Sequence, residues 1–128
     1  MAEISNYLEN ALINGTLRAT TFTAPTTIYV GLFTSDPTDA GTGTEVSGGS
    51  YARKSVTFAA PSNGSSSSNA DVTFDTATGT WGTITHIGLL DALTTGNLLY
   101  HTPLDASKLI ETNDIFKINS GALTVTLS

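Results

Sequence analysis

The chain has 128 residues, only 12% of them charged, with no cysteine, 5 basic and 11 acidic side chains and a formal net charge of −6. That length suits one domain with a sizeable core, and the missing cysteines exclude disulfides, thiolate metal sites, iron–sulfur ligation and cysteine nucleophiles. The five cations (Arg18, Arg53, Lys54, Lys108 and Lys117) are scattered, which disfavours nucleic acid and anionic membrane as partners.

Met1-Ala2-Glu3-Ile4 opens acidic, and no run reaches the ~18 apolar residues of a bilayer span, so neither a secretory signal nor a membrane anchor is expected. Glu3 to Asn14 carries the one clear helical pattern. Ile4, Leu8, Ala11 and Leu12 recur at helical spacing with Tyr7 alongside, and Asn14-Gly15 supplies a stop signal. Gly15 to Pro25 then links this helix (residues 1–15) to a region of strand-type periodicity (residues 26–128). Thr27 to Thr34 is a short apolar run expected to be buried on both faces, ended by the turn Ser35-Asp36-Pro37. Thr38 to Ser50 is Gly- and Thr-rich and reads as a loop. Tyr51 to Phe58 resumes strand character, with Val56 and Phe58 on one face and Arg53, Ser55 and Thr57 on the other.

Pro61 to Ser68 cannot bury apolar area and is expected to be a flexible connection. Asp71 to Asp75 is a short strand with Val72 and Phe74 on one side. Gly82 to Asp91 is the longest strand expected, and Leu98 to His101 pairs with it as a hairpin across Leu93 to Asn97. Ser107 to Ile110, Asp114 to Ile118 and Ala122 to Leu127 complete the chain, the last two flanking Asn119-Ser120-Gly121 as a second hairpin turn. Threonine fills 23 positions, and its branched Cβ suits a half-exposed strand. The expected fold is mainly β: a single-domain, jelly-roll-like β-sandwich of about eight short antiparallel strands with one N-terminal α-helix. Its neutral hydroxyls and amides lose less on burial than charges do, which favours a protein packed in an assembly over a free-standing enzyme.

Little in the chain supports catalysis. His86 and His101, the two imidazoles, sit in expected strands and read as structural. There is no G-x-S-x-G elbow, and Ser65 to Ser68 lie in a tract too loose to hold a nucleophile. Asp36, Asp39 and Glu45 share one loop that could gather around calcium, but turn formation by Ser-Asp-Pro and Thr-Asp-Ala-Gly is the favoured reading, and no metal or cofactor is expected. Gly41, Gly43, Gly48 and Gly49 lack the Lys-Ser/Thr of a phosphate loop. Asn14-Gly15-Thr16 and Asn63-Gly64-Ser65 match glycosylation sequons without other signs of secretion. Trp81, Tyr29, Tyr51 and Tyr100 could stack on sugar, though core packing is the favoured use of a single Trp.

Four segments in order carry a resemblance. They are Asn6-Tyr7-Leu8-Glu9-Asn10, Tyr29-Val30-Gly31-Leu32-Phe33-Thr34-Ser35-Asp36-Pro37-Thr38-Asp39-Ala40-Gly41, Ser47-Gly48-Gly49-Ser50-Tyr51-Ala52-Arg53, and Trp81-Gly82-Thr83-Ile84-Thr85-His86-Ile87-Gly88 with Gly96-Asn97-Leu98-Leu99-Tyr100-His101. The chain resembles a family of small tailed-bacteriophage structural proteins, tail-fibre-like and in some phages head-decoration or cement proteins. The resemblance carries over no catalytic residue. It implies a non-enzymatic virion component, made in the host cytoplasm, whose partners are its own copies and the major capsid protein or tail proteins. A short chain without heptad or fibrous repeat points to capsid decoration. The alternative is a tail-fibre or fibre-tip adhesin module that binds host-surface glycans through residues 38–50 and 61–69. Analogy with such proteins suggests a homotrimer. The apolar helix stripe of Ile4, Tyr7, Leu8 and Leu12 is the expected interface, because so short a helix is marginal alone.

Overall fold

A computed structural model describes residues 2–127. The first element is a strand, β1 (Glu3–Ile4), and the helix α1 (Asn6–Leu17) begins only after it. The expected start at Glu3 is corrected by Ser5. Its hydroxyl accepts the Leu8 N–H at 3.2 Å and donates to the Leu98 carbonyl at 2.5 Å, which caps the helix and pins its entry to the sheet. Gly15 is not the stop. The helix runs through it, and the left-handed residue is Ala19 (φ 52°), on either side of which the Arg18 and Thr20 N–H groups both return to the Asn14 carbonyl.

Seven further strands make up the sheets with β2 (Ile28–Phe33): β3 (Lys54–Val56), β4 (Ser65–Ser67), β5 (Val72–Thr73), β6 (Gly82–Leu90), β7 (Leu98–Ile110), β8 (Lys117–Ile118) and β9 (Thr124–Thr126). All pairing is antiparallel. A five-stranded sheet has the order β1-β7-β6-β2-β3, and two ribbons pair β4 with β9 and β5 with β8. The fold is therefore mainly β with one helix, as the change of periodicity predicts. β2 and β6 fall where expected, and residues 30–33 of β2 are buried on both faces.

Three expectations are corrected. Ser65 to Ser67 is a strand, not a floppy connection, because its hydroxyls meet those of β9: Ser65 Oγ lies 3.0 Å from Thr126 Oγ1, and Ser67 Oγ 2.8 Å from Thr124 Oγ1. Residues 117–118 and 124–126 do not pair with each other across Asn119-Ser120-Gly121 but each with an earlier strand. The longest strand is β7, which joins Leu98–His101 to Ser107–Ile110. Between the register pairs Ile84↔Lys108 and His86↔Pro103, β7 carries Leu104 to Ser107 as a bulge opposite Thr85, with Leu104 packed against the core. No described strand pairs with the outer side of β7 beyond His101.

One face of the large sheet packs on the ribbons. Val30, Leu32, Ile84, Ile87 and Leu89 share a buried cluster with Val72, Phe74, Phe116, Ile118 and Leu123. Trp81 meets Tyr51 edge-on with centroids 5.5 Å apart, Phe74 meets Phe116 likewise at 5.8 Å, and the Trp81 Nε1–H donates to the Gly49 carbonyl at 2.9 Å. Full burial of each large side chain contributes roughly 1.5–3 kcal/mol. The opposite face carries a smaller cluster of Phe33, Leu90 and Leu98, with α1 packed against β7 through buried Leu8. Gly31 and Gly88 face each other across β2 and β6, and Phe33 and Leu98 occupy the space that a side chain at Gly88 would fill.

Candidate assembly interface

Arg53 lies on the opposite face from Val56, as the alternation predicts, but it is buried among charges instead of solvated with Ser55 and Thr57. Its Nε and Nη2 donate to the two oxygens of Glu45, each at 2.8 Å, and Nη1 donates to the Ala92 and Thr95 carbonyls at 2.7 and 2.8 Å. The Tyr51 hydroxyl donates to Glu45 Oε2 at 2.5 Å and accepts the Leu32 N–H at 3.0 Å. Burial, then the Glu45 carboxylate, push the Tyr51 phenol well above its ordinary pKa of 10.0. This network ties the 38–50 loop and the 91–97 turn to the sheet edge. It borders a cleft of about 360 Å³ that also touches Ser5, Tyr7 and Asp39. Four Arg53 N–H groups are already committed, so the guanidinium braces loops and is poorly placed to bind an incoming anion.

The acidic loop does not gather around one point. Glu45 is taken by Arg53 and Tyr51, while Asp36 Oδ1 accepts the Thr38 N–H at 2.9 Å, which is the turn role the sequence favours. Asp39 instead reaches His101, whose Nε2 lies 2.8 Å from Asp39 Oδ1, and His86 Nδ1 lies 2.8 Å from Thr85 Oγ1. Both histidines hydrogen-bond within or beside strands, as expected. Trp81 is buried in the core and Tyr51 half-buried beside it, so neither offers a flat face to a sugar.

The expected interface stripe divides. Leu8 is buried against its own sheet, Ile4 is half-buried in β1 opposite Tyr100, Leu12 is half-buried, and Tyr7 is 43% exposed. A second apolar set lies on the far side of α1: Ile13 is 52% exposed and Leu17 79%, with Phe22 beyond the helix end. Ile13 and Leu17 are four residues apart and so stack on one ridge of the helix. Ending the helix at Asn14 hides that spacing, which appears once α1 is carried through to Leu17. Among the described helix residues the one charged side chain is Glu9, exposed four residues before Ile13 and so at the head of the same ridge; a partner on Ile13 and Leu17 meets that one carboxylate at its margin. A separate apolar groove of about 270 Å³ lies between Ile28, Phe58, Pro61, Leu89, Tyr100 and Val125.

A family model described as Podophage GP4 fiber I protein gp80 matches residues 3–126 of the chain. No curated protein matches it.

Proposed function

Because the chain belongs to the family described as Podophage GP4 fiber I protein gp80, we propose that it is a non-enzymatic structural protein of the phage virion, tail-fibre-like, held in its assembly by the outward ridge of α1. The exposed Ile13 and Leu17 carry this reading: they stand on a helix whose other side is already anchored by Ser5 and Leu8. A helix seated on one side and apolar on the other is a surface to be covered by a neighbouring chain. Only one helix of 12 residues and no strand longer than 13 residues form among the described residues, so within a fibre this chain is a globular base, joint or tip instead of a shaft. The same lack of a shaft favours a second reading, capsid decoration. Copies of the chain itself, as a homotrimer, are the proposed first partners, with phage tail or capsid proteins beyond them.

Localisation of the tagged protein on purified particles by electron microscopy, with its copy number, tests the placement. Label on the tail at a copy number near that of the fibres supports the fibre reading, and label over the capsid at a number near that of its subunits replaces it with decoration. The variants Ile13→Ser and Leu17→Ser test the ridge. Both should keep wild-type circular dichroism and melting, because the side chains are exposed, yet join particles poorly. Normal incorporation of both would remove α1 as the attachment element. Light scattering on the purified chain tests the trimer, which a monomer at micromolar concentration overturns for the free state.

A further inference from the structure

We propose that the N-terminal arm of this chain, β1 and α1 together, is exchanged between copies, each arm seated on its neighbour's β7. The seat itself is visible within one chain. Glu3 and Ile4 pair with His101 and Tyr100. The Ser5 N–H donates to the Leu99 carbonyl at 2.9 Å and its hydroxyl to the Leu98 carbonyl at 2.5 Å, while the Asn6 N–H donates to the Asp39 carbonyl at 2.9 Å. Leu8 is buried in the same seat, and α1 packs mainly on β7. The strand to which the arm is joined lies elsewhere. In the order β1-β7-β6-β2-β3, β2 stands three places from β1, so the chain travels roughly 14 Å across β7 and β6 before it enters β2. Seat and attachment point thus belong to different parts of the sheet, and no seat contact requires that arm and β7 come from one chain.

Residues 18–27 form the tether. They hold no helix or strand, and all but Pro25 are exposed. Among the described residues, the hydrogen bonds of this tether return to the helix: the Arg18 and Thr20 N–H groups to the Asn14 carbonyl, and Arg18 Nη1 to Asn14 Oδ1 at 3.2 Å. The closed form also needs a reversal at Ala19, which holds φ 52°. In that left-handed conformation Cβ crowds the backbone, and alanine has no side-chain hydrogen bond to offset it. The reversal lays Thr20 to Phe22 back along the helix, where a Cβ on Gly15 would stand 3.5 Å from the Thr20 oxygen and 3.6 Å from Phe22 Cβ. Drawn out, ten residues reach about 33–36 Å. That is close to the width of a domain of this size, whose radius of gyration is about 14 Å. An open tether therefore carries the arm to the β7 of an adjoining copy, with the seat contacts kept and Ala19 released from its strain. The occupant is a second copy because the seat fits residues 3–8 of this sequence. The proposal rests on the homo-oligomer reading above and is independent of the Ile13 and Leu17 ridge.

The chain has no cysteine, so an engineered pair reports the exchange without background. Ile4 and Tyr100 are register partners across β1 and β7, and opposed residues of an antiparallel ladder lie about 4.5–5.5 Å apart at Cα, within the span of a disulfide. The full chain carrying Ile4→Cys and Tyr100→Cys is fractionated by size exclusion with light scattering, oxidised, and run on a denaturing gel without reductant. Exchange gives bands of two or three linked chains that collapse to one on reduction. Glu3→Cys with His101→Cys, the adjacent register pair, serves should Tyr100→Cys impair folding. Ala19→Gly relieves the closed reversal and should lower the ratio of exchanged to closed chains roughly 5- to 30-fold. An oligomer whose disulfides all lie within single chains overturns the exchange and leaves the homo-oligomer standing. A monomer at every concentration overturns both.

Discussion

Replacing Arg53 by Met removes four hydrogen bonds at once. It leaves the Glu45 carboxylate held only by Tyr51, and the Ala92 and Thr95 carbonyls lose a donor. The pair is largely buried, at 8% and 23% side-chain exposure, so solvent screening does little to soften the loss. Removing one partner from a buried ion pair costs about 3–5 kcal/mol. For a chain of this size each kcal/mol lowers the melting temperature by about 3–4 °C, so Arg53→Met should melt roughly 10–20 °C below wild type. Arg53→Lys keeps the charge but loses the fork that serves two carboxylate oxygens and two carbonyls, and should fall between. Thermal melts of Arg53→Met, Glu45→Gln and the double variant close a cycle. If the two act as a unit, the double variant should cost little more than either single one, a coupling of about 2 kcal/mol or more. Single costs below about 1 kcal/mol, or simple additivity, would show that the network contributes nothing beyond an exposed ion pair.

Three further outcomes are expected. Ser5→Ala removes both the helix cap and the tie to Leu98 and should cost about 1–2 kcal/mol in urea unfolding; a change of a few tenths would mean that Leu8 alone seats the helix. Tyr51 has a folded pKa raised above the unfolded value of 10.0, so its contribution is complete below pH 10 and is lost as pH rises beyond it. Unfolding free energy above pH 10 should thus fall less steeply in Tyr51→Phe, by about 1.4 kcal/mol per pH unit, and equal slopes would refute the assignment. Gly88→Ala would place a Cβ 2.8 Å from both Leu98 Cδ1 and Phe33 Cε1 and should cost about 1–3 kcal/mol in chemical melts, whereas Gly79→Ala, whose Cβ meets nothing closer than 3.5 Å, should be near neutral.

Elements that bury a regular apolar pattern are the ones the sequence exposes. β2 and β6 are legible because Ile, Val, Leu and Phe crowd them, and Leu8 with Leu12 marks the inner side of α1. Ser65 to Ser67 has no such pattern, since its strand is made by hydroxyl partners 57 and 61 residues away. Gly15 misleads as a stop because the helix end is decided one turn later, where Ala19 takes the left-handed conformation. The same holds for the charged groups. Strand alternation places Arg53 on the correct face, but nothing local tells that Glu45 and the carbonyls of the 91–97 turn close over it. His86 and His101 are individually bland, and their relation appears only when β6 and β7 are laid side by side, where Gly88 is the register partner of His101 and His86 that of Pro103.

The outer edge of β7 bears on how copies of this chain can meet without harm. A virion protein accumulates at high local concentration before assembly, and an open, flat strand edge under those conditions invites runaway polymerisation. Here the edge past His101 opens with Pro103, which has no N–H to offer, then bulges through Leu104 to Ser107 and presents Asp105 and Lys108 along the bulge and just beyond it. A second chain cannot zip onto such an edge in register. Whatever chain neighbours this edge is left with side-chain contacts in place of strand addition.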